Sequence, residues 1–254
     1  RRPQGRPGGG GAVAGAQSRR QGPGRPLRRL SGQACGVNYR HHFHAGNFAD
    51  VVKHGLLIQL IRALQKKEKG FLYLDTHAGR GLYDLAAAAK GDSLARQPEW
   101  PNGIGRLWNR ADLPEMPAGY VALLRQFDQE RGNREAGPRF YPGSPWIARL
   151  LARPQDRLAL CEKQPAECET LRGEFLFSPR TTVQEMDGYA ALRAMLPPPE
   201  RRALILIDPA FEAQDEFAQI AAALLAVALA DFATAHCALG LAATAGDRSV
   251  IQQI

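Results

Sequence analysis

Four short segments of the sequence have the character of β-strands, and each leads to an acidic residue. They are FLYLD (71–75), RLALCE (157–162), TTVQEMD (181–187) and ALILID (203–208). Helical segments follow the last three, at 165–176, 188–196 and 213–230. Strands that alternate with helices predict a parallel sheet with helices on both faces. Because ligands bind such sheets at the carboxyl ends of the strands, the four acidic residues are candidates for a functional site.

Two further segments complete the predicted α/β architecture. A possible N-cap, Asn47, precedes a helical pattern that ends near Gly70 and has the apolar residues Val51, Val52, Ile58, Ile61 and Leu64. The alternation of strands and helices stops between Asp84 and Pro142. There the sequence predicts a small helical insertion, at about 84–142, from the apolar spacing of Tyr120, Leu123, Leu124 and Phe127.

The positive charge of the chain is concentrated at its start. The formal net charge is +8, from 33 basic and 25 acidic residues. Residues 1–36 contain eight arginines and no acidic residue, so residues 37–254 carry 25 residues of each sign. The segment 1–36 is rich in glycine and proline and has too few large apolar residues to form a core. We therefore expect a disordered extension at 1–36 and one domain at 37–254.

The origin of this extension is open at the level of sequence. An arginine-rich segment without acidic residues is compatible with a transit peptide or an RNA-binding arm. Residue 1 is Arg, and sequence with the character of a folded protein begins at Val37. We favour a nonfunctional extension, and Val37 as the true start of the protein is one form of this hypothesis.

Composition disfavours several classes of protein. The longest apolar run, IAAALLAVALA (220–230), has 11 residues, whereas a membrane span needs about 20. The four cysteines lack the paired spacing of zinc modules, since Cys161 and Cys168 are seven positions apart. We expect a cytoplasmic protein without a membrane span or a metal ion, and we expect it to be a monomer.

A loop with two glycines follows the first predicted strand directly, as Asp75-Thr76-His77-Ala78-Gly79-Arg80-Gly81. In the dinucleotide fingerprint the acidic residue comes about 20 residues after the glycines. Here it precedes them, which resembles the S-adenosylmethionine loop of Rossmann-like methyltransferases. Glu162 at the next strand end is a candidate acceptor for ribose hydroxyls, and Asp187 with Gly188 is a candidate border for the adenine. Acidic residues at strand ends also cap helices, and that alternative stays open for each.

The fourth strand leads into Asp208-Pro209-Ala210-Phe211, which resembles the [DNS]-P-P-[YF] motif of methyltransferases that modify exocyclic amines. The N6 lone pair of adenine is delocalised into the ring, so the amine is a poor nucleophile. A carboxylate that accepts an N–H bond localises this lone pair, and an aromatic ring stacks on an extruded base. Asp208 is the candidate acceptor and Phe211 the candidate stacking platform. A strand followed by an ordinary Asp-Pro turn is the alternative.

These segments together resemble the RlmJ family of 23S ribosomal RNA adenine-N6-methyltransferases. The most specific stretch is NYRHHFHAGNFADVVKH (38–54), which is similar to the amino-terminal signature of the family. FLYLDTHAGRG, YPGSP (141–145), the Asp187-Gly188 pair and LILIDP follow in the order of the family, and the resemblance covers about 38–236. It implies a Rossmann-like S-adenosylmethionine-dependent methyltransferase fold with a small helical insertion, and 23S rRNA as partner.

The resemblance also implies residue roles. Asp208 would be the catalytic acceptor, with Phe211 beside it, and Tyr39 would assist near the target base. The residues implied at the S-adenosylmethionine site are Lys53, His54, Asp75, His77, Gly79, Ser144, Glu162, Asp187 and Gly188. The histidines at 41, 42 and 44 would suit a metal site in isolation, but no acids or thiols accompany them. Structural histidines or RNA contacts are favoured.

Two departures from the family pattern leave alternatives open. Ala210 stands where the motif has a second proline, which makes the loop less rigid, and the sequence after 234 lacks the expected aromatic residues. We expect the final strands of the sheet to be missing. An adenine-N6-methyltransferase acting on DNA is the second hypothesis, and an inactive remnant that binds cofactor or RNA is the third. A nicotinamide oxidoreductase is the weakest, since the dinucleotide fingerprint is absent.

Overall fold

The computed structural model describes residues 41–88, 97–210 and 215–229. The predicted extension at 1–36 and the predicted loss of strands near residue 254 lie outside these ranges, as do Tyr39 and Phe211. The strands are β1 (Leu72–Asp75), β2 (Leu82–Asp84), β3 (Phe140–Pro142), β4 (Arg157–Glu162), β5 (Thr181–Glu185) and β6 (Ala203–Leu206). The helices are α1 (His41–His44), α2 (Phe48–Gln65), α3 (Leu85–Ala88), α4 (Ile104–Trp108), α5 (Glu115–Glu130), α6 (Ser144–Leu151), α7 (Pro165–Phe175), α8 (Gly188–Met195) and α9 (Glu216–Leu229).

The four predicted strands form a parallel sheet in the order β5-β4-β1-β6. Leu72 of β1 is in register with Arg157 of β4 on one side and with Ala203 of β6 on the other. The chain therefore leaves β1 towards β4 and β5, and returns across β1 to add β6. This reversal of strand order is a topological switch point, where ligands bind open α/β sheets. The predicted parallel α/β fold is confirmed.

Helices cover both faces of the sheet, and the side chains of the central strand β1 alternate between two cores. Tyr73 belongs to a core with Leu158, Leu204 and residues of α2, α6 and α7. Leu72 and Leu74 belong to the other core, with residues of α8 and α9. All four residues of β1 are buried, as expected of a central strand with a helical layer on each side.

Two strands end earlier than predicted. β5 ends at Glu185, so Asp187 lies outside it and caps α8 by accepting hydrogen bonds from the backbone N–H groups of Tyr189 and Ala190. β6 ends at Leu206, two residues before Asp208. Asp208 precedes a proline, which has no backbone N–H to donate to a strand ladder.

Helix α2 begins as predicted and ends earlier. The side chain of Asn47 caps it by accepting from the backbone N–H of Asp50. It ends at Gln65 and not near Gly70. Beyond this end, the guanidinium of Arg202 donates to the backbone carbonyls of Leu64 and Lys69. Val52, one of the apolar residues of the predicted pattern, is 56% exposed, whereas Ile58 and Ile61 are buried.

The chain between β1 and β4 adds a helical layer and a small sheet. β2 and β3 pair antiparallel, with Leu82 opposite Pro142, and the sequence patterns did not predict this pair. Helices α4 and α5 lie between them in sequence, and Trp108, Tyr120 and Leu124 join the same core as Tyr73. No helix within the described residues is long and apolar enough to cross a membrane.

We predict that Gly70→Ala destabilises the fold, because a Cβ at this position would lie 2.3 Å from the backbone oxygen of Gln155. The backbone must shift, and we expect the free energy of unfolding to fall by about 1–3 kcal/mol. Gly173→Ala is the matched control, since a Cβ there meets nothing within 4 Å and alanine favours the helix. Urea unfolding measures both. Equal stability of the two variants would contradict the prediction.

Candidate active site

The glycine loop after β1 is hydrogen-bonded to both neighbouring strands. The backbone N–H of Thr76 donates to the carbonyl of Leu206 at 3.0 Å, and that of Ala78 donates to the carbonyl of Cys161 at 2.9 Å. Gly79 has a φ of +61°, and a Cβ there would lie 2.5 Å from the hydroxyl of Tyr83. Glycine avoids both the left-handed strain and this clash. The loop is thus held across the switch point of the sheet.

Glu162 at the end of β4 fastens this loop from the side. Its Oε2 accepts from the backbone N–H of Gly79 at 2.8 Å, and its Oε1 accepts from that of Gln164 at 2.7 Å. Burial raises the pKa of Glu162, and the two backbone hydrogen bonds oppose this rise. Each carboxylate oxygen retains a further lone pair, so the group can still accept from a ligand hydroxyl.

Asp75 is buried beneath the loop with no exposed surface. Its Oδ2 accepts from the hydroxyl of Ser144 at 2.7 Å and from that of Tyr73 at 2.8 Å. Burial raises the pKa of Asp75 to about 6, although both hydroxyls oppose the rise. The carboxylate therefore positions Ser144, the first residue of α6. A direct contact between Asp75 and a cofactor stays a prediction.

Three predicted residues gather where α8 meets the loop. The Nδ1 of His77 is 2.9 Å from the hydroxyl of Thr76, and its ring lies 5.3 Å from that of Tyr189, centroid to centroid, in a T-shaped arrangement. Burial lowers the pKa of His77. A Cβ on Gly188 would lie 2.2 Å from the backbone oxygen of Thr76, so a glycine is needed for this close approach. Asp187 forms an ion pair with Lys163 at 3.1 Å.

Lys53 of α2 brings the amino-terminal motif to the end of β6. Its ammonium forms an ion pair with the carboxylate of Asp208, which is 155 residues away in the sequence. It forms another with Asp50 at 2.7 Å. Burial on its own lowers the pKa of Lys53, but the two carboxylates raise it well above its ordinary value. The lysine is 10% exposed and Asp208 is 21% exposed, so Asp208 faces the accessible side of the pair.

His54 of α2 contacts Tyr141 of β3. It is buried, and its Nδ1 is 2.8 Å from the hydroxyl of Tyr141, which in turn is 2.8 Å from that of Tyr120. A cofactor contact of His54 stays a prediction. Of the three clustered histidines, His44 pairs with Glu99 at 3.0 Å. No group of three or more metal-binding side chains occurs within the described ranges.

The sequence patterns did not indicate Asp50, Tyr73 and Lys163 as members of the site. The spacing of Asp50 and Lys53 was a usable signal, because residues three apart in a helix are neighbours on its surface. Tyr73 offered no signal, since an aromatic residue in a strand is ordinary core. Lys163 follows Glu162 in the sequence, but its partner Asp187 is 24 positions away.

A sequence profile described as "Ribosomal RNA large subunit methyltransferase D, RlmJ" matches residues 68–248. The chain belongs to the RlmJ family. The match contains the glycine loop and Asp208, and it extends past 236, where the resemblance was expected to stop. The motif at 38–54, with Lys53 and His54, precedes the matched residues.

Two relatives, each named Ribosomal RNA large subunit methyltransferase J, support this assignment. The protein from Escherichia coli (strain K12) is 45% identical over 181 residues, which are 71% of this chain and 61% of that protein. The protein from Haemophilus influenzae (strain Rd KW20) is 44% identical over 181 residues, with 71% and 62% coverage. The chain therefore spans about three fifths of the length of these relatives.

A solved structure gives the same result for the RlmJ fold. A Legionella pneumophila protein of the family named DUF519 is similar with a TM-score of 0.67 and 39% identity. The similarity covers 77% of this chain and 68% of that one. The similarity to this structure supports the α/β fold described above.

We predict a pH dependence of stability that originates at Asp75. Because its folded-state pKa of about 6 lies above the ordinary value of 3.8, the folded state binds its proton more tightly than the unfolded state. This contribution is fully present below about pH 4 and is lost as the pH rises through about 6, by about 2–3 kcal/mol. The side chain of Asp75→Asn has no proton to lose. Its free energy of unfolding relative to the wild-type protein should therefore rise by that amount between pH 4 and pH 7. Urea unfolding at four pH values measures the difference, and a constant difference would contradict it.

Proposed function

We propose that this chain methylates the exocyclic N6 of an adenine in 23S rRNA, with S-adenosylmethionine as methyl donor. The observation that carries the proposal is the position of Asp208. This carboxylate follows β6 at the switch point of the sheet, next to the glycine loop, in a chain that belongs to the RlmJ family. An acceptor for amine N–H groups beside a cofactor loop is the arrangement that transfer to adenine N6 requires.

The residues at the strand ends fit S-adenosylmethionine. Gly79 turns the loop backbone at a φ of +61°, with the hydroxyl of Tyr83 where a Cβ would lie, so this glycine fixes the shape of the loop beside the proposed cofactor. Glu162 and Asp187, at the ends of neighbouring strands β4 and β5, supply acceptors for ribose hydroxyls and for an adenine amine. His77 and the Asp75–Ser144 pair lie between them and Asp208. When bound, the cofactor supplies an electrophilic methyl group on a sulfonium.

Asp208 would act on the amine in two ways. Its carboxylate accepts an N–H bond from N6, which localises the nitrogen lone pair for attack. The lone pair would attack the methyl group that the bound cofactor would supply, with the sulfur as leaving group, and Asp208 would accept the proton that N6 then releases. The predicted roles of Phe211 in stacking and of Tyr39 near the base belong to this proposal.

The RNA partner is proposed from the names of the relatives and from chemistry. The insertion carries arginines that are candidates for phosphate contacts, but Arg110 is paired with Asp112 at 2.6 Å and Arg131 with Glu174 at 2.8 Å. We therefore expect RNA binding to involve other cations as well. We further propose that the protein acts in the cytoplasm and as a monomer. We also propose that it acts without a metal, because none of these residue roles requires a metal ion.

We predict that Asp208→Asn lowers the rate of methyl transfer to unmodified 23S rRNA by at least about a hundredfold. The affinity for S-adenosylhomocysteine should stay within about twofold, because Asp208 acts on the amine. Transfer of a radiolabelled methyl group and calorimetric titration measure the two effects. Asp112→Asn, a carboxylate that is 73% exposed and paired with Arg110, is the control and should keep full activity.

DNA of matching sequence serves as the competing substrate. Transfer to DNA and not to RNA would replace the proposal with the DNA hypothesis. Binding of S-adenosylhomocysteine by the wild-type chain with no transfer to either substrate would favour the inactive remnant. Equal loss of binding and transfer in Asp208→Asn would remove Asp208 from its proposed role.

A further inference from the structure

Asp208 has two competing demands on its carboxylate. The proposed reaction needs its oxygen as an acceptor for the substrate amine. In this structure its Oδ2 is already bound by the ammonium of Lys53. A lysine held by Asp208 alone would neutralise that carboxylate and weaken it as an acceptor for a second donor.

Asp50 gives the ammonium of Lys53 a second acceptor. Its Oδ1 lies 2.7 Å from the lysine nitrogen, and its side chain is 3% exposed. Lys53 therefore has an anionic partner on each side. The cluster of Asp50, Lys53 and Asp208 contains two carboxylates and one ammonium, and with all three ionised it carries one net negative charge.

The orientation of Asp50 is set by its own backbone surroundings. Its Oδ2 accepts from the backbone N–H of Gly46 at 2.9 Å, and its own backbone N–H donates to the Asn47 side chain at 2.9 Å. These contacts resemble a capping box at the start of α2. Gly46 has a φ of +75°, and a Cβ there would lie 3.0 Å from Ile104, so the turn packs against the insertion. One carboxylate oxygen thus holds the turn and the other is presented to Lys53.

We propose that Asp50 is a positioning residue that acts through Lys53. It holds the ammonium of Lys53 when the substrate amine replaces that ammonium on Asp208. It also keeps the cluster net negative, so that the site favours a cationic sulfonium donor. This inference rests on the proposed function and assigns a role to a residue outside the contacts that function needs. Asp50 touches neither reacting group. Its effect is carried by the position of Lys53 and by the net charge of the cluster.

The test compares two cofactors that differ in charge. S-adenosylmethionine carries a sulfonium, whereas S-adenosylhomocysteine has a neutral thioether in the same position. In Asp50→Asn the cluster loses its net negative charge. Calorimetric titration of the full chain should show S-adenosylmethionine bound at least about tenfold more weakly relative to the wild-type protein, which is the effect of one unit charge about 12 Å from the sulfonium at an effective dielectric constant of about 20. The affinity for S-adenosylhomocysteine should stay within about twofold.

Methyl transfer provides the second measurement. Asp50→Asn should lower kcat about tenfold or more, because Lys53 then stays on Asp208 and competes with the substrate amine. The KM for RNA should be unchanged. Asp50→Glu retains the charge and should recover most of both effects. Asp128→Asn is the matched control: Asp128 is equally buried and also accepts backbone N–H bonds, from Arg139 and Phe140, but belongs to the insertion. It should leave the ratio of the two affinities unchanged.

A purely structural role would give a different pattern. Equal weakening of both cofactors in Asp50→Asn, with a lower melting temperature and no recovery in Asp50→Glu, would overturn the inference. If Asp50→Asn does not fold, Asp50→Ser supplies an uncharged variant whose hydroxyl can still accept from Gly46, and the same ratio decides. A wild-type chain that binds neither cofactor would overturn the proposed function and this inference together. Selective loss of the sulfonium compound supports the inference even if RNA is not the substrate.

Discussion

The pairing of β1 with a parallel strand on each side is the constraint on which the rest of the structure depends. Four residues, Leu72 to Asp75, are in register with β4 and β6, and all four are buried. The glycine loop continues this pairing through the backbone N–H groups of Thr76 and Ala78. The loop geometry and the position of Asp75 both follow from where this strand ends. A shift of one residue would exchange the two cores that β1 serves.

The acidic residues that follow the strands differ in their hydrogen-bond partners and in their exposure. Asp75 is enclosed with two hydroxyl donors, and burial raises its pKa. One carboxylate oxygen of Glu162 accepts from the backbone N–H of Gly79 and the other from that of Gln164. Asp208 alone faces a buried ammonium, and it is partly exposed. A buried charge is costly unless it is paired, so the pairing of Lys53 with two carboxylates explains how a lysine can lie within this site.

The agreement between sequence and structure is closest where a local pattern decides the outcome. The first and last residues of β4 are those of the predicted segment RLALCE, and the N-cap at Asn47 is confirmed. The early end of α2 and the exposure of Val52 were not predicted, because both depend on neighbours. Arg202, which meets the carbonyl of Leu64, is 138 residues away in the sequence. The antiparallel pair β2–β3 escaped prediction since each strand has only three residues, too few for a periodic pattern.

Periodicity, glycine placement and the Asp-Pro step were enough to indicate an α/β chain with its ligand site at the strand ends, because each depends on backbone geometry within a few residues. The motifs were also enough to indicate the family. Only the tertiary structure decided which side chains meet. Lys53 reaches Asp208 across 155 residues, and Ser144 reaches Asp75 across 69. Such contacts depend on the order of the strands and on how α2 and α6 pack against them, and neither is encoded in a short stretch of chain.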